Sequence, residues 1–148
     1  MKIRPVRRGA DDASLLQLFR DAAVRRWLFD DRELDADMAR GIIDAGVTNG
    51  ADGLGLWVLE ISVSGAVGSV LGGVLGGVVA LLPTDPALWP DNPPSAELLY
   101  ALHPDLWGAG WATRCAALLL DRAFARAGLA AVGASADMPN VEIGRAHV

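Results

Sequence analysis

Residues 96–113 read AELLYALHPDLWGAGWAT, and this stretch decides how the rest of the chain is interpreted. Its first part, Ala96 to Leu102, predicts a β-strand. The strand passes through residues 103–107 into Gly108-Ala109-Gly110, and a helical pattern follows directly. The sequence therefore predicts a strand, a glycine loop and a helix in one continuous piece.

The helix after the glycine loop is indicated by small and apolar residues that recur at helical spacing. Arg114, Asp121 and Arg122 fall off this stripe, and Gly128 is placed to end the helix in a left-handed conformation. The residues of the stripe are Ala112, Cys115, Ala116, Leu119, Ala123 and Ala127.

The glycine loop lies where a helix leaves its first N–H groups without intrahelical acceptors. Gly108 and Gly110 allow a ligand to approach the backbone closely, and the positive end of the helix dipole suits a phosphate or pyrophosphate. A Gly-x-Gly sequence also occurs in tight turns that bind nothing. Both interpretations are open for the loop taken alone.

Length and charge restrict the class of protein. A chain of 148 residues, 52% hydrophobic, suits one globular domain. The formal charge of -5 and the lack of a basic run argue against a nucleic-acid partner, which would require clustered Lys and Arg. One cysteine, Cys115, excludes an internal disulfide and fits a reducing cytosol, and no secretion signal is visible at the N-terminus.

The remaining pattern predicts a mixed α/β sheet flanked by helices. We expect a first strand over residues 2–8 and then a helix capped within Gly9–Asp12, with Leu15, Leu18, Phe19 and Ala22 on one side. Residues 32–45 predict a helix that carries Leu34, Met38 and Ile42 on its apolar face. Further strands are expected over residues 56–63, half-buried, and over residues 74–82 and 129–135.

Residues 61–84 contain no charged side chain, and two interpretations compete for them. The length would allow a membrane-spanning helix. The Val-rich composition and the alternation at the start instead favour a strand hairpin with a loose, Gly-rich connection. We prefer the hairpin and keep a small membrane-associated protein as an alternative.

The quoted stretch, continued by Leu119, Ala123-Phe124 and Gly128, resembles the acetyl-coenzyme A binding motif of the GNAT N-acetyltransferases. It looks most similar to the branch of ribosomal-protein N-terminal acetyltransferases. The resemblance implies a GNAT fold that lacks its final helix and strands, acetyl-coenzyme A as co-substrate and no metal. It further implies a transferase with an amine acceptor, either a protein N-terminus or a small molecule. Twelve arginines against one lysine, with abundant Ala and Gly, suggest a bacterial source, and the single cysteine fits a cytoplasmic location.

The resemblance also implies roles for individual residues. Glu97 matches the position that often carries the catalytic base, although a strand Glu can equally be a solvated surface residue. Since Asp105 and Ala109 stand where the family prefers cationic or polar residues, Arg114 is expected to supply the missing charge. The co-substrate contacts implied are Leu102, His103, Gly108, Ala109, Gly110, Trp111, Ala112, Thr113, Arg114 and Asn140.

His103 is a second candidate base, because histidine titrates near neutral pH. Its place before Pro104, at the end of the strand, favours a structural or backbone role. The family's usual acid, a C-terminal tyrosine, has no counterpart, since Tyr100 is the one tyrosine in the sequence.

The last seven residues, 142–148, read EIGRAHV. This is the peptide that GAGATCGGAAGAGCACACGTC would encode, a string that contains the start of a widely used sequencing adapter. We expect the natural sequence of the domain to cover residues 1–141 and to be incomplete at its C-terminus. A non-catalytic acyl-coenzyme A binding fragment is therefore another alternative. The acceptor and the oligomeric state cannot be read from these residues.

Overall fold

The computed structural model describes residues 2–50, 53–60, 75–125 and 127–136. Strands and helices follow one another as β1 (Lys2–Pro5), α1 (Asp12–Arg20), α2 (Ala22–Leu28), α3 (Ala36–Asn49), β2 (Gly55–Glu60), β3 (Leu75–Leu82), β4 (Ala96–Leu102), α4 (Trp111–Ala125) and β5 (Val132–Gly133). A 3-10 turn, Pro104–Leu106, separates β4 from α4.

The five strands form one mixed sheet in the order β1-β2-β3-β4-β5. The first four are antiparallel to their neighbours, whereas β5 is parallel to β4. The predicted mixed α/β class is therefore confirmed. The hairpin interpretation is also confirmed for its two strands, because β2 and β3 pair antiparallel. Its connection, residues 61–74, lies outside the described residues.

Helices cover both faces of the sheet, and each face has its own apolar core. On one side α1, α2 and α3 pack on residues that include Val58, Val78 and Ala101. On the other side α4 packs on residues that include Leu59 and Leu102. Because both faces are covered, β2 is buried on both sides and the expectation of a half-buried strand is wrong.

The apolar face of α3 is displaced by one position along the chain relative to the predicted face. The Asp35 carboxylate accepts a hydrogen bond from the Met38 N–H (2.8 Å) and caps the start of the helix. Leu34 is buried, but it precedes the helix and is not part of its apolar face. Met38 is 47% exposed, while Ala39 and Ile43 are buried. The prediction of a Leu34, Met38 and Ile42 stripe is wrong because the cap shifted the period.

Close contact between α3 and β2 depends on a residue without a side chain. A Cβ placed on Gly46 would lie 2.4 Å from the Leu56 Cβ, which no packing can accommodate. The helix was predicted to end at residue 45, but it continues through Gly46 to Asn49. The glycine therefore serves close packing of helix on sheet.

Within the described part of the chain, no helix is long and apolar enough to span a bilayer. The later half of the uncharged stretch is β3, which pairs with β2 on one side and β4 on the other. The first strand and the last are shorter than predicted: β1 ends at Pro5, and β5 comprises Val132 and Gly133.

A buried ion pair joins the start of α1 to the sheet. Arg4 donates to both carboxylate oxygens of Asp11 (2.8 and 2.7 Å) and through Nε to Glu60 (2.5 Å), and the Arg7 N–H also donates to Asp11 (2.7 Å). Asp11 lies at the N-cap position of α1, within the predicted Gly9–Asp12 turn, but its side chain does not form the expected capping hydrogen bond. The hydrogen bond from Arg4 holds the pKa of Asp11 below its usual value despite burial.

We expect Asp11→Asn to destabilise the fold by roughly 3 kcal/mol, because it leaves the Arg4 guanidinium without its buried partner. A lowered carboxyl pKa stabilises the folded state above the unfolded pKa, and that contribution is lost as the pH falls through the folded pKa. Chemical unfolding between pH 7 and pH 2 should therefore show a shallower acid dependence for the variant.

The control for this prediction is Glu60→Gln, which removes the more exposed partner of Arg4. Its side chain is 31% exposed, against 7% for Asp11, so water screens the pair and the loss should be smaller. Equal losses for the two variants would contradict a special role for the buried carboxylate.

Candidate functional site

The candidate site begins where β4 and β5 separate. β5 pairs with β4 at Ala96 and Glu97, and none of the described residues pairs with that edge of β4 further along. The His103 N–H donates to the Gly76 carbonyl (2.9 Å), so the odd-numbered residues of β4 bond toward β3. The backbone groups of Leu98 and Leu102 consequently face the diverging edge.

The end of β4 is tied down by the turn that follows it. The His103 N–H is committed to β3, and its Nδ1 accepts the Asp105 N–H (3.4 Å), with the Asp105 carboxylate 3.5 Å away. Leu106 is buried against the α4 side of the sheet. His103 therefore acts here as the cap of a 3-10 turn, which is the structural role that its position before Pro104 indicated.

Trp107 closes this turn with two hydrogen bonds. Its backbone N–H donates to the Pro104 carbonyl (3.0 Å), and its indole Nε1 donates to the Leu102 carbonyl (2.8 Å). The Leu102 carbonyl is therefore occupied on one side by the indole, although a carbonyl oxygen has a second lone pair. Leu102 and His103 were predicted to contact the co-substrate. Of their backbone groups, the Leu102 N–H faces the edge of β4 from which β5 diverges.

The glycine loop has the backbone conformation that its sequence predicted. Gly108 and Gly110 have φ of +72° and +74°, in the left-handed region, and a Cβ on either would meet nothing within 4 Å. Gly108, Ala109 and Gly110 are all exposed. A second molecule can therefore approach this backbone without meeting a side chain.

The first turn of α4 follows the glycine loop directly. The Gly110 carbonyl accepts the Arg114 N–H (3.2 Å), which places the N–H groups of Trp111 and Ala112 in the turn that has no intrahelical acceptors. No acidic side chain lies in this turn. Together with the helix dipole, the turn suits an anion, and a phosphate group above all. Thr113, also predicted to contact the co-substrate, is exposed in this turn.

Arg114 is the cation of this region. Its guanidinium lies over the Trp111 ring, 5.1 Å from the centroid, and its side chain is exposed. The ring thus holds the charge at the first turn of α4. Arg122 has a different environment: it lies over Trp57 in the core, again at 5.1 Å.

The rest of α4 is held firmly against the sheet. Cys115, Ala116, Leu119 and Ala123 are buried, as their spacing predicted, and Gly128 ends the segment with φ of +64°. Burial raises the pKa of the Cys115 thiol to about 11, so it is protonated at neutral pH and is not a nucleophile.

Glu97 lies at the last position where β5 still pairs with β4. It shares a sheet face with Leu99 and Ala101, both packed on the α1–α3 side. Its carboxylate accepts a hydrogen bond from Ser135 Oγ (2.7 Å), which orients it. Tyr100 packs on the opposite side, against α4, so it does not share a sheet face with Glu97.

Sequence reasoning missed Ser135 and gave no role to Trp107. The β4–β5 register pairs Glu97 with Gly133 and so puts Ser135, two residues on, on the face of Glu97. That register could not be read from the sequence, because a two-residue strand has no pattern of its own. Asn140 lies outside the described residues and stays a prediction. In the described residues, no group of three or more His, Cys, Asp or Glu side chains could hold a metal.

Comparisons with solved structures show the same fold. yncA from Salmonella typhimurium, solved with its cofactor acetyl-CoA, is 21% identical at a TM-score of 0.70, with 99% of this chain and 76% of that chain covered. A spermidine N-acetyltransferase from Vibrio cholerae, in complex with CoA and spermine, is 18% identical at a TM-score of 0.73, with 99% of this chain and 76% of that chain covered. A ribosomal-protein-alanine N-acetyltransferase from Brucella melitensis is 20% identical at a TM-score of 0.71, with 99% of this chain and 81% of that chain covered.

The sequence comparisons identify the family. A search of curated proteins gave no match. The family model described as the acetyltransferase (GNAT) domain, however, matches residues 1–147, nearly the whole chain. This protein belongs to the GNAT acetyltransferase family.

Proposed function

We propose that this protein transfers an acetyl group from acetyl-coenzyme A to an amine. One observation carries the proposal: two exposed left-handed glycines, Gly108 and Gly110, lead into the first turn of α4, which has no acidic side chain. They follow a strand, β4, whose outer edge pairs with none of the described residues beyond Glu97. Neighbours of the same fold were solved with acetyl-CoA and with CoA. The arrangement suits a diphosphate with an extended arm.

The diphosphate of the co-substrate is assigned to the loop from Gly108 to Thr113. Amide groups of Gly110, Trp111 and Ala112 would donate to its oxygens, and Arg114 would contribute positive charge from the same turn. Ala109 brings no charge, and Asp105 is exposed beside the loop, so Arg114 is the cation that this segment offers. Asn140 remains a predicted contact of the pantetheine arm.

The pantetheine arm is assigned to the edge of β4 that β5 leaves. The backbone groups of Leu98 and Leu102 face the side away from β3, and beyond Glu97 none of the described residues pairs with β4 there. An extended arm with amide groups can hydrogen-bond there as an added strand would. The distance from Leu102 back to Glu97 is roughly 16 Å along the strand. The nucleotide and the acceptor are therefore placed toward opposite ends of β4.

The co-substrate supplies an acetyl group activated as a thioester. The amine nitrogen attacks the carbonyl carbon, so that a C–N bond forms while the C–S bond breaks. Glu97 is the base that we assign to the amine proton, directly or through a water molecule. The Ser135 hydroxyl holds one carboxylate oxygen and leaves the other for the proton. The departing thiolate is a weak enough base to leave near neutral pH and take a proton from water.

Two classes of acceptor are open, a protein N-terminus and a small amine. The structural neighbours include a protein of each kind, the ribosomal-protein-alanine and the spermidine N-acetyltransferases. The acidic net charge of this chain, -5, is compatible with a cationic acceptor of either class. A non-catalytic acyl-coenzyme A binding protein is the second candidate, because no protein side chain in the described residues is assigned to protonate the leaving thiolate.

We expect Glu97→Gln to lower kcat for acetyl transfer by about 10²–10⁴-fold, because the amide cannot accept the amine proton. The KM for acetyl-CoA should change little. Thiol release from acetyl-CoA, measured with a panel of peptides and polyamines, tests both this and the acceptor class. Asp44→Asn, which removes an exposed carboxylate on α3, is the control and should keep wild-type kcat. If neither the wild type nor Asp44→Asn releases thiol from acetyl-CoA, although both bind CoA, the non-catalytic candidate is favoured.

Gly108→Ala should weaken CoA binding far more than Gly128→Ala does. Both glycines have positive φ and open surroundings, so each substitution should cost roughly 1–2 kcal/mol of stability through backbone strain alone. The two differ in location, at opposite ends of α4. Thermal unfolding and calorimetric titration with CoA separate the effects. Equal CoA affinities for the two variants would show that the glycine loop is a tight turn that does not contact CoA.

Arg114→Gln should weaken CoA binding about fivefold, the effect of one partly solvated charge on a phosphate. Arg40→Gln is the matched control, because Arg40 is also an exposed helical arginine, paired with Asp37 on α3. Its CoA affinity should equal that of the wild type. If raising the salt concentration weakens CoA binding equally for wild type and Arg114→Gln, Arg114 is not the phosphate contact.

A further inference from the structure

Trp107 links two parts of the proposed site that the backbone alone does not hold together. The residue lies between the end of β4 and the first left-handed glycine. Both of its N–H groups donate backward along the chain, the amide to the Pro104 carbonyl (3.0 Å) and the indole to the Leu102 carbonyl (2.8 Å). The last residue before the glycine loop is therefore anchored twice to the strand and its turn.

Within the described residues, no side chain forms a hydrogen bond with the backbone of the glycine loop, residues 108–110. Gly108, Ala109 and Gly110 are exposed, and a Cβ on either glycine would meet nothing within 4 Å. The loop is suspended between Trp107 and the first turn of α4, whose buried residues fix it to the sheet. The position of the loop amides is consequently determined by its two ends, and the indole hydrogen bond sets one of them.

We propose that Trp107 is a positioning residue, whose indole N–H holds the glycine loop at the distance from β4 that a bound diphosphate requires. This inference rests on the proposed function, because it assigns Trp107 to the same site. Trp107 is 40% exposed, so much of its carbon surface is buried as well, and a test of the hydrogen bond has to keep an aromatic ring and remove only the partly buried indole N–H.

Trp107→Phe is the direct test, because it keeps an aromatic ring and removes the indole N–H. Loss of one hydrogen bond should weaken binding of ADP, which carries a diphosphate, by roughly fivefold. Binding of pantetheine, which lacks the diphosphate, should be unchanged. Dissociation constants from ligand-observed NMR on the full chain give both values, with CoA binding by the wild-type protein measured first.

The control is Trp89→Phe. The Trp89 indole N–H is buried and makes no hydrogen bond within the described residues, and its ring packs over Gly133. This variant removes a tryptophan N–H that links nothing, so its ADP affinity should match the wild type. A thermal midpoint for Trp107→Phe close to that of Trp89→Phe shows that the loop, and not the whole fold, has changed.

Several outcomes would overturn the inference. Equal weakening of ADP and pantetheine would mean that Trp107 supports the fold in general. Tighter binding of pantetheine would mean that the indole competes with the ligand for the Leu102 carbonyl. Unchanged ADP affinity would mean that the loop keeps its place without the indole. Absence of CoA binding by the wild-type protein would instead count against the proposed function.

Discussion

The site depends on β4 having two neighbours of unequal length. β3 pairs with it from Glu97 to Leu102, whereas β5 pairs only at Ala96 and Glu97. A strand bonded on both sides has no free backbone groups, and a strand bonded on neither side would not be held in place. Because β5 diverges early, β3 holds β4 along one edge, while beyond Glu97 none of the described residues pairs with the other edge. It is along this second edge that we propose the extended arm of the co-substrate to bind.

The site lies where the two layers of the protein meet. Glu97 and Ser135 belong to the face covered by α1, α2 and α3, whereas the glycine loop leads into α4 on the other face. A ligand in the opening beside β4 can therefore reach both, although no helix carries both sets of groups. The turn between them is tied to the end of β4 by the hydrogen bond from the Trp107 indole to the Leu102 carbonyl.

The sequence alone determined most of the organising segment. Its strand has the predicted bounds, and its glycines have the positive φ that a loop before a helix requires. The buried face of α4 follows the predicted spacing through Cys115 and Leu119. These features are local: periodicity and glycine chemistry act within a few residues and need no information about distant parts of the chain. The family resemblance was carried by the same residues.

Only the tertiary structure decided the features that depend on partners far apart in sequence. An acidic side chain within Gly9–Asp12 was expected to cap a helix, but Asp11, at the cap position, accepts hydrogen bonds from Arg4 on β1 instead. The buried face of α3 moved by one residue because its cap was Asp35. Ser135 reached Glu97 through a two-residue parallel pairing, and the Trp107 indole reached across a turn to Leu102. Such contacts are selected by packing, since the separation of residues along the chain does not specify which polar groups meet when the sheet closes.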